Sequence, residues 1–89
     1  MLVLPAEITN QQARAAAASL QHGMQTMAGH EIIVDASAMV KFDSSALAVL
    51  LQCRREALQM GKSFEVRGIS SRLRDLATLY GIEGLLKLA

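Results

Sequence analysis

The β-branched run Ile32-Ile33-Val34 is too short for a helix, apolar without a break, and flanked on both sides by stretches whose apolar residues recur at helical spacing. Such a run reads as a strand buried on both faces, the usual state of a central parallel strand. On its amino side, Thr9-Asn10-Gln11-Gln12 has the Thr-x-x-Gln form of a capping box. Ala13, Ala16, Ala17, Leu20, Met24 and Met27 follow at helical spacing, which predicts a helix over residues 10–27, broken by Gly29. On its carboxyl side, residues 36–42 read as a connecting loop and residues 44–60 as a second helix, stopped by Gly61. Leu2-Val3-Leu4 reads as an opening strand ended by Pro5, which cannot donate to a ladder. Ser63-Phe64-Glu65-Val66-Arg67 alternates polar and apolar, as a half-exposed strand does. Ser70 or Ser71 then caps a third helix with Leu73, Leu76, Ala77 and Tyr80 on its inner face, ended by Gly81. Ile82 to Leu88 reads as a final turn or short helix that packs Leu85 or Leu86 back on the sheet. Strand and helix alternate three times, so the strands are joined by helical crossovers, and the chain is expected to form one small α/β domain over residues 1–89, its mixed or mostly parallel sheet covered by helices.

The second helix carries the residues of greatest chemical interest. Ala46, Val49, Leu50, Cys53, Ala57 and Met60 make a core stripe, and Gln52, Arg55, Glu56 and Gln59 lie opposite. Leu47, Leu51 and Arg54 fall on the flank, where two leucines and a charge can anchor a protein partner. The helix opens with Phe42-Asp43-Ser44-Ser45, and Asp43 or Ser44 serves as its cap, since Asp and Ser satisfy the free N–H groups of a first turn. The helix dipole favours negative charge there, so a phosphate on Ser44 can be accommodated, which makes that serine the phosphorylation candidate.

Size and composition remove other classes. A chain of 89 residues buries only roughly 60–65% of its unfolded surface, which leaves little for a deep active site and favours a binding module over an enzyme. With two Phe, one Tyr and no Trp, its core is built from Leu, Ile, Val, Met and Ala. Nine Lys and Arg against eight Asp and Glu give a net charge of +1, far from the basic excess of a nucleic-acid binder. Arg54, Arg55, Arg67, Arg72 and Arg74 are interrupted by Glu56, Glu65 and Asp75, the pattern of a solvated face. The single Cys53 excludes an internal disulfide, and with only His22 and His30 beside it there is no recognisable metal set; no cofactor is expected. Neither histidine has a spacing that predicts contact with Ser44, and no Gly-x-Ser-x-Gly elbow is present, so a hydrolase triad is not expected. Met24, Met27 and Met60 fall on helix stripes, whereas Met39 lies in the loop and is left outside the core. Asp35 closes a strand and is read as an Asx turn holding backbone near Ser37. No segment reaches the ~20 apolar residues of a bilayer span and no signal-peptide layout opens the chain, so a cytoplasmic location is expected, with membrane contact only through a partner.

Ile33-Val34-Asp35-Ala36-Ser37 at a strand end and Asp43-Ser44-Ser45 at a helix start resemble the STAS domain over nearly the whole chain. Leu4-Pro5-Ala6-Glu7-Ile8-Thr9, Leu47-Ala48-Val49-Leu50-Leu51 and the Leu-Ala-x-Leu-Tyr ending at Tyr80 resemble the MlaB-like branch most closely. The resemblance implies a non-catalytic subunit seated on the ATPase of an ABC-type phospholipid transporter, with Ser44 at the switch or interface position. The alternative it implies is an anti-sigma factor antagonist, phosphorylated at that serine by a partner kinase. Two departures stand out. Ala46 replaces a common Gly, which is expected to stiffen the first turn and restrict a partner's approach. The chain also starts at what resembles the family's second strand, so the first edge strand is expected to be missing or the start truncated, leaving one sheet edge open where a second copy can pair.

Overall fold

The computed structural model, which describes residues 2–86, places Ile32 and Val34 wholly out of solvent at the centre of a three-stranded parallel sheet. Its strands are β1 (Leu2–Val3), β3 (Glu31–Asp35) and β5 (Ser63–Arg67), in the order β1-β3-β5. Between them run the helices α1 (Ala13–Thr26) and α2 (Ser44–Gln59), followed by α3 (Ser71–Leu79) and the short α4 (Glu83–Leu86). The register pairs Leu2 with Val34 and Val34 with Val66, so Leu2, Ile32, Val34, Phe64 and Val66 share one face. That face is buried in one core with Leu20 and Met24 of α1, Leu50, Cys53 and Ala57 of α2, and Leu86 of α4. Full burial of each large aliphatic side chain contributes about 1.5–3 kcal/mol.

The opposite face carries Val3, Ile33, Asp35, Glu65 and Arg67, all of them half-buried or exposed. Ile33 is half-buried, Val3 is 63% exposed, and Glu65 and Arg67 form an ion pair along β5. The central run is therefore buried fully on one side only; burial on both was expected from its unbroken apolarity.

Residues 36–42 are more ordered than a plain loop. Glu7–Ile8 (β2) and Lys41–Phe42 (β4) pair in a second, two-stranded parallel ladder, extended by Val40 and Lys41 N–H groups that both donate to the Ala6 carbonyl at 2.8 and 3.0 Å. Two residues per strand leave no periodicity to find in a sequence. The turn before this ladder tucks Met39 inward to 5% exposure, against the expectation that it lies outside the core.

The helix starts use their sequence signals. Gln12 and Ala13 N–H groups donate to the Thr9 carbonyl, and the Thr9 N–H donates to Gln12 Oε1 at 2.9 Å, which is half of the expected capping box. The regular helix begins three residues later than predicted, after that turn. Ser70, not Ser71, caps α3, its Oγ accepting from Leu73 N–H at 3.2 Å.

The helix ends explain two misplaced side chains. In α3, the Gly81 and Ile82 N–H groups donate to Thr78 and Ala77 carbonyls, a Schellman turn in which Gly81 takes φ +71°, a region that costs any other residue strain. Tyr80, at the cap, is swung out to 57% exposure, and Ile82 packs under the core in its place. The same bonds close α2, from Gly61 to Leu58 and Lys62 to Ala57, and leave Met60 39% exposed. Lys62 folds back instead, its Nζ donating to the Met27 carbonyl at 2.7 Å. Tyr80 and Met60 were both expected in the core; a stripe at helical spacing ends one residue too late where the chain reverses. Leu86 is the residue that packs back on the sheet, whereas Leu85 is 47% exposed. Lys87 and Leu88, the tail of the predicted final segment, lie outside the described residues.

Candidate functional site

Asp43 is the cap of α2, held extended at φ −132° and ψ −167°. One carboxylate oxygen accepts from Ser45 N–H at 2.8 Å, and the other accepts from Asn10 N–H at 3.0 Å. The bond to Ser45 N–H, chiefly, holds its carboxyl below the usual carboxylate range, with Asn10 N–H contributing and burial opposing. The side chain thus anchors the first turn of α2 and also the turn that opens α1.

With that cap filled by Asp43, the exposed Ser44 is left over. Among the described residues nothing hydrogen-bonds its hydroxyl. Ser44 stands in an open groove of about 520 Å³ between the start of α2 and one side of α3, lined by Phe42, Asp43, Arg72, Asp75, Leu76, Leu79 and Tyr80. The Arg72 guanidinium lies 5.5 Å from the centre of the half-buried Phe42 ring, a cation–π distance that fixes one wall. Leu79, 79% exposed, and Tyr80 form the rim. The groove therefore offers apolar surface, a free hydroxyl and both signs of charge.

The other predicted site residues divide. Ser45 is half-buried beside Ser44, its N–H committed to Asp43. Leu47, expected on the partner-facing flank, is 3% exposed and belongs to the core. The reason is that α2 is covered over more than one stripe, by the sheet, α1 and α4 together, so its first turns bury Ala46, Leu47, Val49 and Leu50. Leu51 and Arg54 are half-buried and lie in a different groove, shared with Arg55, Leu58, Gln59 and Leu85. Ala46 is fully buried, so its methyl points into the core and does not restrict a partner's approach as expected.

Phe42, Arg72, Leu79 and Tyr80 were missed by sequence reasoning. Adjacent Leu79-Tyr80 carried the available signal: two large apolar neighbours at a helix end cannot both face inward.

At the C-terminal end of β3, Asp35 Oδ1 accepts from Ser37 N–H at 2.9 Å, the expected Asx turn. The Ser37 hydroxyl and backbone together hold the Asp35 carboxyl below its usual range. Gly68, with φ +73°, lies so close that a methyl there would stand 3.0 Å from Asp35 Oδ1 and 3.0 Å from Ser37 Cβ. His22 and His30 are exposed, and neither lines the Ser44 groove. Among the described residues no group of three His, Cys, Asp or Glu is placed to hold a metal ion. Burial pushes the Cys53 thiol up to about 12, with Glu56 adding to the effect. No helix among the described residues is long and apolar enough to cross a membrane.

A small parallel α/β layer with a carboxylate-capped helix, headed by a free serine at the C-terminal edge of its sheet, is the arrangement of a STAS-type domain. The family model for the Mlab STAS domain matches residues 1–87, and the chain belongs to that family. No curated protein matches it.

Proposed function

We propose that this chain is a non-catalytic, protein-binding subunit that docks on the ATPase of an ABC-type phospholipid transporter maintaining membrane lipid asymmetry. The observation that carries the reading is the Ser44 groove. A hydroxyl relieved of capping duty by Asp43, rimmed by Leu79 and Tyr80, suits a close protein contact: apolar anchors supply affinity and the hydroxyl supplies a directional bond. Membership of the Mlab STAS family supports the transport assignment, and the chain then reaches the inner membrane through its partner, from the cytoplasmic side.

The exposure of Ser44 on a helix start supports a second reading, a phosphorylation-switched antagonist of an anti-sigma factor. Intact-mass measurement of the protein from its own cells separates the two. An unmodified Ser44, together with weaker ATPase binding by Ser44→Glu, is the expected result. Stoichiometric phosphate at Ser44 that varies with growth conditions would overturn the transport reading.

A further inference from the structure

Ser44, Leu51 and Leu58 are spaced by about two helical turns each, so they lie along one side of α2. The first belongs to the groove beside α3. The other two belong to a second groove, of about 500 Å³, between α2 and α4. The floor and walls of this second groove are Leu51, Leu58 and Leu85, the last two about half exposed. Arg54 and Arg55 stand on the same groove. The ion pairs among the described residues are Lys41 with Glu7 and Arg67 with Glu65, so neither Arg54 nor Arg55 is neutralised there. The charge lining the two grooves differs: Asp43, Asp75 and Arg72 meet around Ser44, whereas among the described residues the second groove is lined by two arginines and no acid, Glu56 and Glu83 lying outside it.

We infer that this second groove seats an amphipathic helix of the docking partner, with leucine-like residues on its inner face and Asp or Glu on the flank that meets Arg54 and Arg55. The inference rests on the ATPase-docking reading and deepens it by extending the interface and fixing the partner's chemistry. Three leucines lining a concavity match the i, i+3, i+7 ridge of a helix laid in a groove, and two unneutralised arginines select an acidic flank. A lipid surface fits less well, because the three leucines line a concave groove in which Leu51 is half-buried.

The test places a photoreactive phenylalanine analogue at Leu58 and, separately, at Ser44, in protein expressed in its own cells. After irradiation, the attached fragment at each position is identified by mass spectrometry. From Leu58, the expected adduct is a segment of the ATPase with apolar residues at helical spacing and acidic residues beside them. The double variant Arg54→Glu, Arg55→Glu is expected to lower its yield by about tenfold or more, as loss of complementary charge does at interfaces. If that variant fails to fold by circular dichroism, Arg54→Gln with Arg55→Gln takes its place. A basic or non-helical segment, a phospholipid, a second copy of this chain, no adduct, or a yield indifferent to the arginines overturns the inference. An ATPase adduct at Ser44 with none at Leu58 sinks the inference and leaves the docking reading standing. Absence of the ATPase from both positions sinks the docking reading itself.

Discussion

Gly68 and Gly81 form a built-in controlled experiment. Their φ angles are +73° and +71°, so replacing either with alanine forces the same left-handed backbone on a residue with a Cβ. That penalty is about 1–2 kcal/mol, partly offset by the lower entropy of the unfolded alanine chain. Around Gly81 nothing lies within 4 Å of the added methyl, so Gly81→Ala is expected to cost about 1 kcal/mol and no more than about 2. Around Gly68 the methyl meets Asp35 Oδ1 and Ser37 Cβ at 3.0 Å and Ser37 N at 3.2 Å. Asp35 Oδ1 and Ser37 N are joined to each other by the Asx-turn hydrogen bond, so the few tenths of an ångström by which they must give strain that turn, and overpacking adds about 1–3 kcal/mol. For a domain of this size each kcal/mol moves Tm by roughly 4–8 °C, and Gly68→Ala should therefore melt at least about 4 °C below Gly81→Ala. Urea unfolding followed by circular dichroism gives the free-energy difference directly. Equal stability of the two variants, or a lower Tm for Gly81→Ala, would refute the claim that close packing at the sheet edge sets the identity of residue 68.

Three further outcomes are expected. Leu47→Asp should unfold the chain, because it places a charge in the core, whereas Leu79→Asp should keep native circular dichroism and lose partner binding; a folded Leu47→Asp protein would contradict the burial of Leu47. Cys53 should resist thiol reagents in the native protein and react once urea unfolds it. As pH climbs from about 9 towards about 12 the unfolded thiol ionises first, so stability falls, and a Cys53→Ala protein should lack that part of the decline in alkaline melts. The Asp43 carboxyl is held low, so its contribution is present above the unfolded value of 3.8 and lost as pH falls through the lower folded one; acid titration should show Asp43→Asn missing that component of the loss.

Much of the fold is written in local patterns. Ile32 and Val34 mark the central strand, Ser63 to Arg67 alternate as observed, and Asp43 and Asp35 make the bonds their positions imply. The misses share a physical origin in packing between elements. Met60 and Tyr80 satisfy the helical period but sit where a Schellman turn reverses the chain, so Ile82 packs on the core after α3 and Lys62 reaches the Met27 carbonyl after α2. Leu47 looks like a flank residue on an isolated helical wheel, yet α2 is enclosed on more than one side. Met39 and the β2–β4 ladder depend on pairing residues some thirty positions apart, for which two-residue strands carry no sequence signal. At the candidate site, Asp43 and Ser44 are legible because capping is local. Arg72 over Phe42 is not, since it arises only when α3 is brought beside the end of β4.

The forked hydrogen bonding of Asp43 has a mechanical consequence. One oxygen holds the start of α2 and the other holds the turn that opens α1, through residues 33 positions apart in the chain. Those two segments are tied at one corner by two exposed hydrogen bonds, each of modest net strength. A partner that tugs Ser44 cannot displace the head of α2 alone: it carries Asn10 along with it or breaks one arm of the fork. A load applied at a single exposed hydroxyl is thereby shared between the head of α2 and the turn that opens α1.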